Sequence, residues 1–217
     1  MPSKNRDLHG NTPDKADVAL LLIDVINDFD FPEADQLLAH ARPMAERLRG
    51  LKRHAKSEGI PAIYVNDNFG RWRSDFRSLV DHCLESSCKG FDVVEALKPE
   101  QEDYFVLKPK HSGFYSTALD ILLTYLEAKT VIVTGIATNI CVLFTANDAY
   151  MRDYELVVPE DCVAANTAEA TQHALTQMRD VLKADTTPSA ALSSSSIMNR
   201  RSNAGRKKPV VTGNSHG

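Results

Sequence analysis

The stretch VALLLIDVINDF, residues 18–29, decides the fold. Its first six residues, 18–23, form an uninterrupted apolar run, which is typical of a strand buried on both faces of a parallel sheet. The run ends at Asp24, so a carboxylate follows directly after the strand. Ligand sites in parallel α/β sheets lie just beyond the carboxyl ends of the strands. The stretch therefore predicts a central strand and one residue of a functional site.

Short apolar runs and amphipathic stretches alternate along the rest of the chain. Four further runs of strand length follow the first, at residues 60–65, 104–107, 131–134 and 155–158. Four stretches with apolar residues at helical spacing lie between or after them, at residues 37–51, 117–128, 138–150 and 166–182. Strands that alternate with helices require right-handed crossovers and a mostly parallel sheet. We therefore predict a three-layer α/β/α fold, whose last helix starts at a capping box formed by Asn166 and Glu169.

Length and composition fit one domain with a tail. The 217 residues contain 43% hydrophobic and 25% charged side chains, and the mean hydropathy is -0.28. No stretch reaches the roughly 20 consecutive apolar residues that a membrane helix needs. The polar N-terminus has no apolar segment of the kind that directs secretion. We therefore expect a cytoplasmic protein with no membrane partner.

Charge is distributed unevenly along the chain. Residues 193–217 carry five basic side chains and no acidic one, whereas residues 1–192 carry 20 basic and 29 acidic side chains, a net charge of -9. An acidic body argues against a nucleic-acid partner. The serine-rich segment 193–217 has too few apolar residues to offset the entropy of an ordered chain. We predict disorder there, a flexible N-terminus over residues 1–15, and one folded domain over residues 16–192.

Four cysteines are present, at positions 83, 88, 141 and 162. Disulfides are not expected in a reducing compartment, and the spacing is not a zinc-binding pattern. Cys141 differs from the others because it follows a predicted strand and Gly135, in the first turn of the next helix. The partial positive charge at a helix N-terminus lowers a thiol pKa. Cys141 is therefore the candidate nucleophile, and the other three cysteines are expected to be structural.

Three chemically reactive side chains follow three predicted strands. Asp24 ends the run VALLLID, Lys108 ends the run YFVLK, and Cys141 closes the segment TGIATNIC. Since the carboxyl ends of parallel strands meet at one edge of a sheet, we expect the three side chains to converge. A carboxylate can accept a thiol proton, and a nearby ammonium group stabilises the thiolate. The pattern predicts a nucleophile with its base and its electrostatic support.

These segments together resemble the isochorismatase-like cysteine hydrolases, the superfamily that includes nicotinamidases. The family pattern has an Asp at the end of the first strand, a Lys after the third, and a Cys in a G-[VI]-x-T-x-x-C turn. Asp24, Lys108 and Cys141 match it in that order, and the flanking sequences DVINDF and KPKHSGF match as well. The resemblance covers residues 16–192 and implies a catalytic triad.

The resemblance also implies a sheet order and a reaction cycle. The sheet would have six mostly parallel strands in the order 3-2-1-4-5-6, with residues 181–184 as the sixth. A cis peptide bond would join Ile136 and Ala137, and the backbone N–H groups of Ala137 and Cys141 would form an oxyanion hole. Asp24 would take the Cys141 proton, the thiolate would attack a carbonyl carbon, and water activated by Asp24 would hydrolyse the resulting thioester.

One part of the family pattern is missing. Nicotinamidases bind a metal through an Asp and histidines soon after the second strand, but the stretch VNDNFGRWRSDF contains Asp67 and no His. Metal sites need several convergent ligands, so we predict no metal and no cofactor. Near the strand ends lie the residues that we expect to bind substrate: Phe29, Asn68, Trp72, Phe114, Tyr115 and Asn139. Phe29, Phe114 and Tyr115 could equally fill the core, and His111 is expected to be a surface residue.

The function favoured by these residues is metal-independent hydrolysis of a C–N bond in a small amide, through a thioester at Cys141. Two alternatives stay open, namely hydrolysis of an isochorismate-like vinyl ether and a non-catalytic scaffold with the same fold. The complete set of Asp24, Lys108 and Cys141 favours the amide. Relatives commonly form dimers or tetramers, so a homo-oligomer is expected.

Overall fold

A six-stranded sheet forms the middle layer of the computed structural model, which describes residues 15–67, 75–85 and 87–192. Its strands are β1 Val18–Ile23, β2 Ala62–Asp67, β3 Tyr104–Lys108, β4 Thr130–Ile136, β5 Glu155–Val157 and β6 Val163–Ala164. The helices are α1 Ala34–Ser57, α2 Phe76–Cys83, α3 Phe91–Ala96, α4 Leu119–Tyr125, α5 Leu143–Tyr150 and α6 Ala168–Asp180. Every pairing between these strands is parallel. The predicted α/β/α class is therefore confirmed.

The strand order is β3-β2-β1-β4-β5, which places β1 at the centre. All six residues of β1 are buried, as its continuous apolar sequence predicts. Alternate side chains point to opposite faces, so Leu20 and Leu22 join one hydrophobic cluster while Leu21 and Ile23 join the other. The first cluster packs beneath α1, α2 and α3, and the second beneath α4, α5 and α6.

The sixth strand differs from the expected one. It is Val163–Ala164, and it pairs with the end of β4 instead of extending the sheet beyond β5. Residues 181–184 form no strand because their backbone ends α6, where the Ala184 N–H donates to the Met178 carbonyl at 3.1 Å. The next residue, Asp185, pairs with β5 through a single parallel bridge to Val157. The first five strands thus follow the predicted order, and the prediction for the sixth is wrong.

The N-cap of the last helix lies one residue later than predicted. Thr167 is the N-cap of α6, and its hydroxyl accepts a hydrogen bond from the Ala170 N–H at 3.0 Å. Its extended backbone directs the hydroxyl at the free N–H groups of the first turn. Asn166 lies outside the helix, so the capping-box interpretation is wrong by one position.

The long connection between β2 and β3 is partly helical. It contains α2 and α3, and Asp75 caps α2 by accepting from the Ser78 N–H at 2.9 Å. The predicted flexible N-terminus and the disordered tail at 193–217 lie outside the described residues, except for Lys15. Within the described ranges, no helix has the length and apolar character needed to cross a membrane.

Candidate active site

Three neighbouring strands bring charged side chains to one edge of the sheet. Asp24 directly follows β1, Asp67 is the last residue of β2, and Lys108 is the last residue of β3. Asp67 and Lys108 are partners in the β2–β3 register, and the Asp24 N–H donates to the Val65 carbonyl at 3.0 Å. The parallel register therefore puts two carboxylates and one ammonium group at the same level.

Lys108 forms the centre of this cluster. Its side chain is fully buried, and its Nζ lies 2.9 Å from Asp24 Oδ2, 3.4 Å from Asp67 Oδ2 and 3.4 Å from Cys141 Sγ. A further hydrogen bond fixes the orientation of the Asp24 carboxylate, because the Asp67 N–H donates to Asp24 Oδ1 at 2.7 Å. An ammonium group without water must have its donors satisfied by the protein. Here two carboxylates and one sulfur supply these partners.

Cys141 reaches the cluster from β4 through a sharp backbone turn. The peptide bond between Ile136 and Ala137 is cis, as the resemblance implies. Residues Thr138–Val142 then form one π-helical turn, which leads into α5. The predicted single helix over residues 138–150 is thus a π turn followed by an α-helix. Cys141 lies within the π turn, and its Sγ lies 3.4 Å from Lys108 Nζ.

Gly135 allows β4 to turn so close to β1. Its φ is +104°, and a Cβ at this position would lie 2.1 Å from the Ile23 carbonyl oxygen. No side chain fits there without moving one of the two central strands. The path of the backbone therefore requires a glycine at position 135.

The pKa of the Cys141 thiol is raised, whereas the sequence pattern predicts a lowered one. Burial and the negative charge of Asp24 together raise this pKa to about 12, and the opposing effect of Lys108 is smaller. The prediction rests on the helix N-terminus and a cation alone, without the desolvation of the sulfur. The raised pKa favours the protonated thiol in the resting site.

Burial and the ion pair act in opposite directions on the pKa of each charged partner. Burial raises the pKa of Asp24 against the attraction of Lys108, the Cys141 thiol and the Asp67 N–H. For Lys108, burial lowers the pKa, but Asp24, Cys141 and Asp67 together raise it above the usual value. A thiol beside an ionised carboxylate and an ammonium group can transfer its proton as the sulfur attacks.

The residues predicted to bind substrate occupy different environments. Phe29 and Phe114 are buried in the two hydrophobic clusters, which favours a packing role. Tyr115 is 58% exposed, and Asn139 is exposed beside Thr138 at the start of the π turn. Asn68 and Trp72 lie outside the described residues.

Two residues near the sulfur have no role assigned from the sequence. Asp67 is the second carboxylate that contacts Lys108. Its position at the end of β2 could have indicated this contact. His111 is predicted to be an ordinary surface residue. Its side chain is exposed, but its Nδ1 lies 3.8 Å from Cys141 Sγ. The short spacing between Lys108 and His111 could have indicated this contact.

The donor set around Lys108 does not suit a metal. Within the described part of the chain, no group of three His, Cys, Asp or Glu side chains is placed to hold an ion. Asp67, the first acid in the corresponding family stretch, shares the Lys108 ammonium group with Asp24. That positive charge already lies between the two carboxylates and would repel a cation.

Comparison with known proteins shows the family to which the chain belongs. A sequence model of the Isochorismatase domain matches residues 18–190. The uncharacterized isochorismatase family protein YaaI of Bacillus subtilis is 46% identical over 173 residues, which are 80% of this chain and 94% of that protein. Ureidoacrylate amidohydrolase RutB of Methylorubrum extorquens is 45% identical over 71 residues, which are 33% of this chain and only 29% of that enzyme.

A solved structure shows the same architecture. The crystal structure of N-carbamoylsarcosine amidase from Thermoplasma acidophilum has a TM-score of 0.62 and 28% sequence identity, and the likeness covers 82% of this chain and 99% of that one. The match of the domain model to most of the chain and the similarity to YaaI over nearly its whole length lead to one conclusion. This protein belongs to the isochorismatase family of hydrolases.

Proposed function

We propose that this protein hydrolyses the C–N bond of a small amide through a thioester at Cys141, without a metal ion. The observation that carries the proposal is the contact of the Cys141 thiol with a buried Asp24–Lys108 pair, whose charged atoms are 2.9 Å apart. This arrangement contains a nucleophile, a proton acceptor and a fixed positive charge within hydrogen-bonding distance.

Acylation would proceed by concerted proton transfer. Asp24 takes the proton from Cys141 as Sγ attacks the carbonyl carbon, which forms the C–S bond and places negative charge on the carbonyl oxygen. The protonated Asp24 then gives the proton to the leaving nitrogen, and the C–N bond breaks. Lys108 stabilises negative charge on the sulfur at both stages, because its Nζ lies 3.4 Å from Sγ.

The carbonyl oxygen would be held by backbone N–H groups. We assign this oxyanion hole to Ala137 and Cys141, which lie on the cis peptide bond and in the π turn. Donors of this kind, placed where negative charge develops, accelerate acyl transfer by about 100- to 1,000-fold each.

The names of two relatives favour an amide over a vinyl ether. Ureidoacrylate amidohydrolase and N-carbamoylsarcosine amidase are both named for amide cleavage. The alternative of a non-catalytic scaffold is disfavoured because Asp24, Lys108 and Cys141 are all present and in contact. A homo-oligomer and a cytoplasmic location belong to the same proposal, and light scattering after gel filtration would measure the first.

A screen of small amides with intact-mass detection tests the proposal. Wild-type protein quenched in acid during turnover is expected to gain the mass of the acyl group, and peptide mapping should place that group on Cys141. The Cys141→Ala variant should gain none. Amide turnover with no acyl adduct, or with an adduct on another cysteine, would show that the nucleophile is misassigned.

A further inference from the structure

His111 is an exposed residue beside the nucleophile. On another side, Cys141 Sγ lies 3.4 Å from Lys108 Nζ, whose side chain is fully buried and paired with Asp24, which is 9% exposed. The His111 side chain is exposed, and its Nδ1 lies 3.8 Å from the same sulfur. His111 is therefore a solvent-accessible side chain within reach of the sulfur.

The backbone that carries His111 is tied to the helix that follows Cys141. The Ser112 hydroxyl donates to Asp148, and the Gly113 N–H donates to Thr145 Oγ1 at 3.0 Å. Thr145 in turn donates to the Cys141 carbonyl at 2.7 Å. These bonds hold the loop at a constant distance from the π turn.

The ring of His111 is also supported directly. It packs against the Phe144 ring, with centroids 5.6 Å apart and planes inclined by 52°. Fixing an exposed side chain in one rotamer costs conformational entropy. Because the contact with Phe144 already restricts the His111 ring, less of that entropy has to be lost during catalysis. The packing against Phe144 therefore holds the imidazole in its position beside the sulfur.

The second half of the proposed reaction needs a proton acceptor that incoming water can reach. Asp24 is largely buried, with Oδ1 accepting from the Asp67 N–H at 2.7 Å and Oδ2 paired with Lys108 at 2.9 Å. The resemblance implies that Asp24 activates the water, but in the thioester the acylated sulfur would stand between Asp24 and the solvent. Resting on the proposed function, we propose that His111 is a catalytic residue of deacylation and accepts the proton of the hydrolytic water.

The step balances without any further reagent. The neutral imidazole takes a proton from water as the water oxygen bonds to the thioester carbonyl carbon. The C–S bond then breaks, and the sulfur leaves as a thiolate beside Lys108. The imidazolium returns the proton to Cys141 Sγ, 3.8 Å away, and the acid product is released. The Cys141 thiol and the neutral His111 are thus restored.

The test separates acylation from deacylation by using p-nitrophenyl acetate, an activated ester. Its first turnover releases nitrophenolate in a burst that reports acylation, and the following steady rate reports deacylation. General-base catalysis contributes roughly 100- to 10,000-fold. The His111→Phe variant, which keeps a ring to pack on Phe144, should retain the burst rate within about threefold, while its steady rate falls by about 100-fold.

A chemical rescue and two controls complete the design. Added imidazole should restore the steady rate of the His111→Ala variant. Without added imidazole, this variant should accumulate the acyl adduct on Cys141. His111→Gln, which keeps a polar side chain but no base, should behave like His111→Phe. His40→Phe, at an exposed histidine of α1, should match wild type in both phases.

Each outcome has a defined meaning. An unchanged steady rate in His111→Phe, an equal loss in both phases, or no rescue by imidazole would overturn the role of His111 while leaving the thioester mechanism intact. A wild-type burst no larger than that of Cys141→Ala would instead overturn the proposed function, and the assignment of His111 with it.

Discussion

Two buried lysines of this protein have similar partners and different surroundings. Lys52, in α1, has a side chain that is 8% exposed and lies 2.6 Å from Asp103 and 3.6 Å from Glu100. Lys108 is fully buried and lies 2.9 Å from Asp24 and 3.4 Å from Asp67. Each ammonium group therefore has two carboxylate partners. Asp103 precedes the first residue of β3 and Lys108 is its last, so the two clusters occupy opposite ends of the sheet.

The difference lies in the remaining partner of each lysine. Lys52 donates to the Lys98 carbonyl at 3.2 Å and lies over the Tyr64 ring, whereas Lys108 contacts the Cys141 sulfur. A buried ion pair by itself indicates structure as often as function. A nucleophile beside the pair, at the carboxyl ends of the strands, is what distinguishes a reactive cluster from a structural one.

Removing the nucleophile should have the largest effect. The Cys141→Ala variant is expected to lose at least about 1,000-fold in kcat for any amide substrate, because the sulfur that forms the proposed thioester is gone. Its thermal unfolding should stay close to that of wild type. The half-buried Cys88 provides a matched control, since Cys88→Ala should keep the wild-type rate. Comparable rates in the two variants would mean that the Lys108 cluster, like the Lys52 cluster, has only a structural role.

Replacing each lysine by methionine compares the clusters directly. Lys108→Met should lower kcat by about 100-fold or more, because a fixed positive charge is lost from the transition state. Lys52→Met should leave kcat within about twofold of wild type and lower the free energy of unfolding by about 2 kcal/mol, because Asp103 loses its cation in a largely buried position. Urea denaturation and steady-state kinetics measure both effects. A loss of kcat in Lys52→Met similar to that in Lys108→Met would remove the distinction.

Two glycines with positive φ lie at these two ends of the sheet, and replacing each by alanine compares the effects on the free energy of unfolding. Gly59 has φ +71°, and no atom lies within 4 Å of the position that a Cβ would take, so Gly59→Ala should cost about 1 kcal/mol from backbone strain alone. Gly135→Ala should cost about 3 kcal/mol, because overpacking against Ile23 adds to the strain. Urea midpoints would measure the difference. Equal costs would mean that β1 and β4 can separate freely at the site.

The pH dependence of kcat/KM sharpens the assignment of protons. Asp24 must be ionised to accept the thiol proton, and burial raises its pKa above 3.8. The rate should therefore fall about tenfold per pH unit below that raised pKa. No loss is expected on the alkaline side until above pH 10.5, since the pKa of Lys108 is raised from that value and that of Cys141 is about 12. A rate that climbs steadily toward pH 12 would indicate attack by a preformed thiolate instead.

Chelation should have the smallest effect. Dialysis against EDTA is expected to leave kcat unchanged, because an ammonium group occupies the position between Asp24 and Asp67 where a cation would bind. Strong inhibition that zinc reverses would show that a metal takes part. Lys52→Met, treated in the same way, controls for effects of EDTA on the fold.

Much of this architecture could be predicted from local patterns. The run Val18–Ile23 is a buried central strand as its sequence indicates, because a strand covered on both faces needs apolar residues at every position. The sixth strand could not be predicted in the same way. Val163–Ala164 is too short for a periodic signal, and its pairing depends on where β4 ends.

The site was predicted in part for a similar reason. Asp24, Lys108 and Cys141 stand where strand-end chemistry is expected, and the fold brings them into contact. The pKa of Cys141 depends on desolvation, which is a property of everything packed around the sulfur, and the local pattern indicated the opposite direction. The contact of His111 with that sulfur depends on how the loop after β3 is tied to α5.

By itself, the sequence determined the α/β class, the central strand and the three residues at the strand ends, because hydrophobic periodicity and strand order are local properties. Tertiary structure alone decided which charges share Lys108, which way the thiol pKa moves and which exposed side chain lies beside the sulfur. Those are sums over groups far apart in the chain, and only the packed fold brings these groups within a few ångströms of one another.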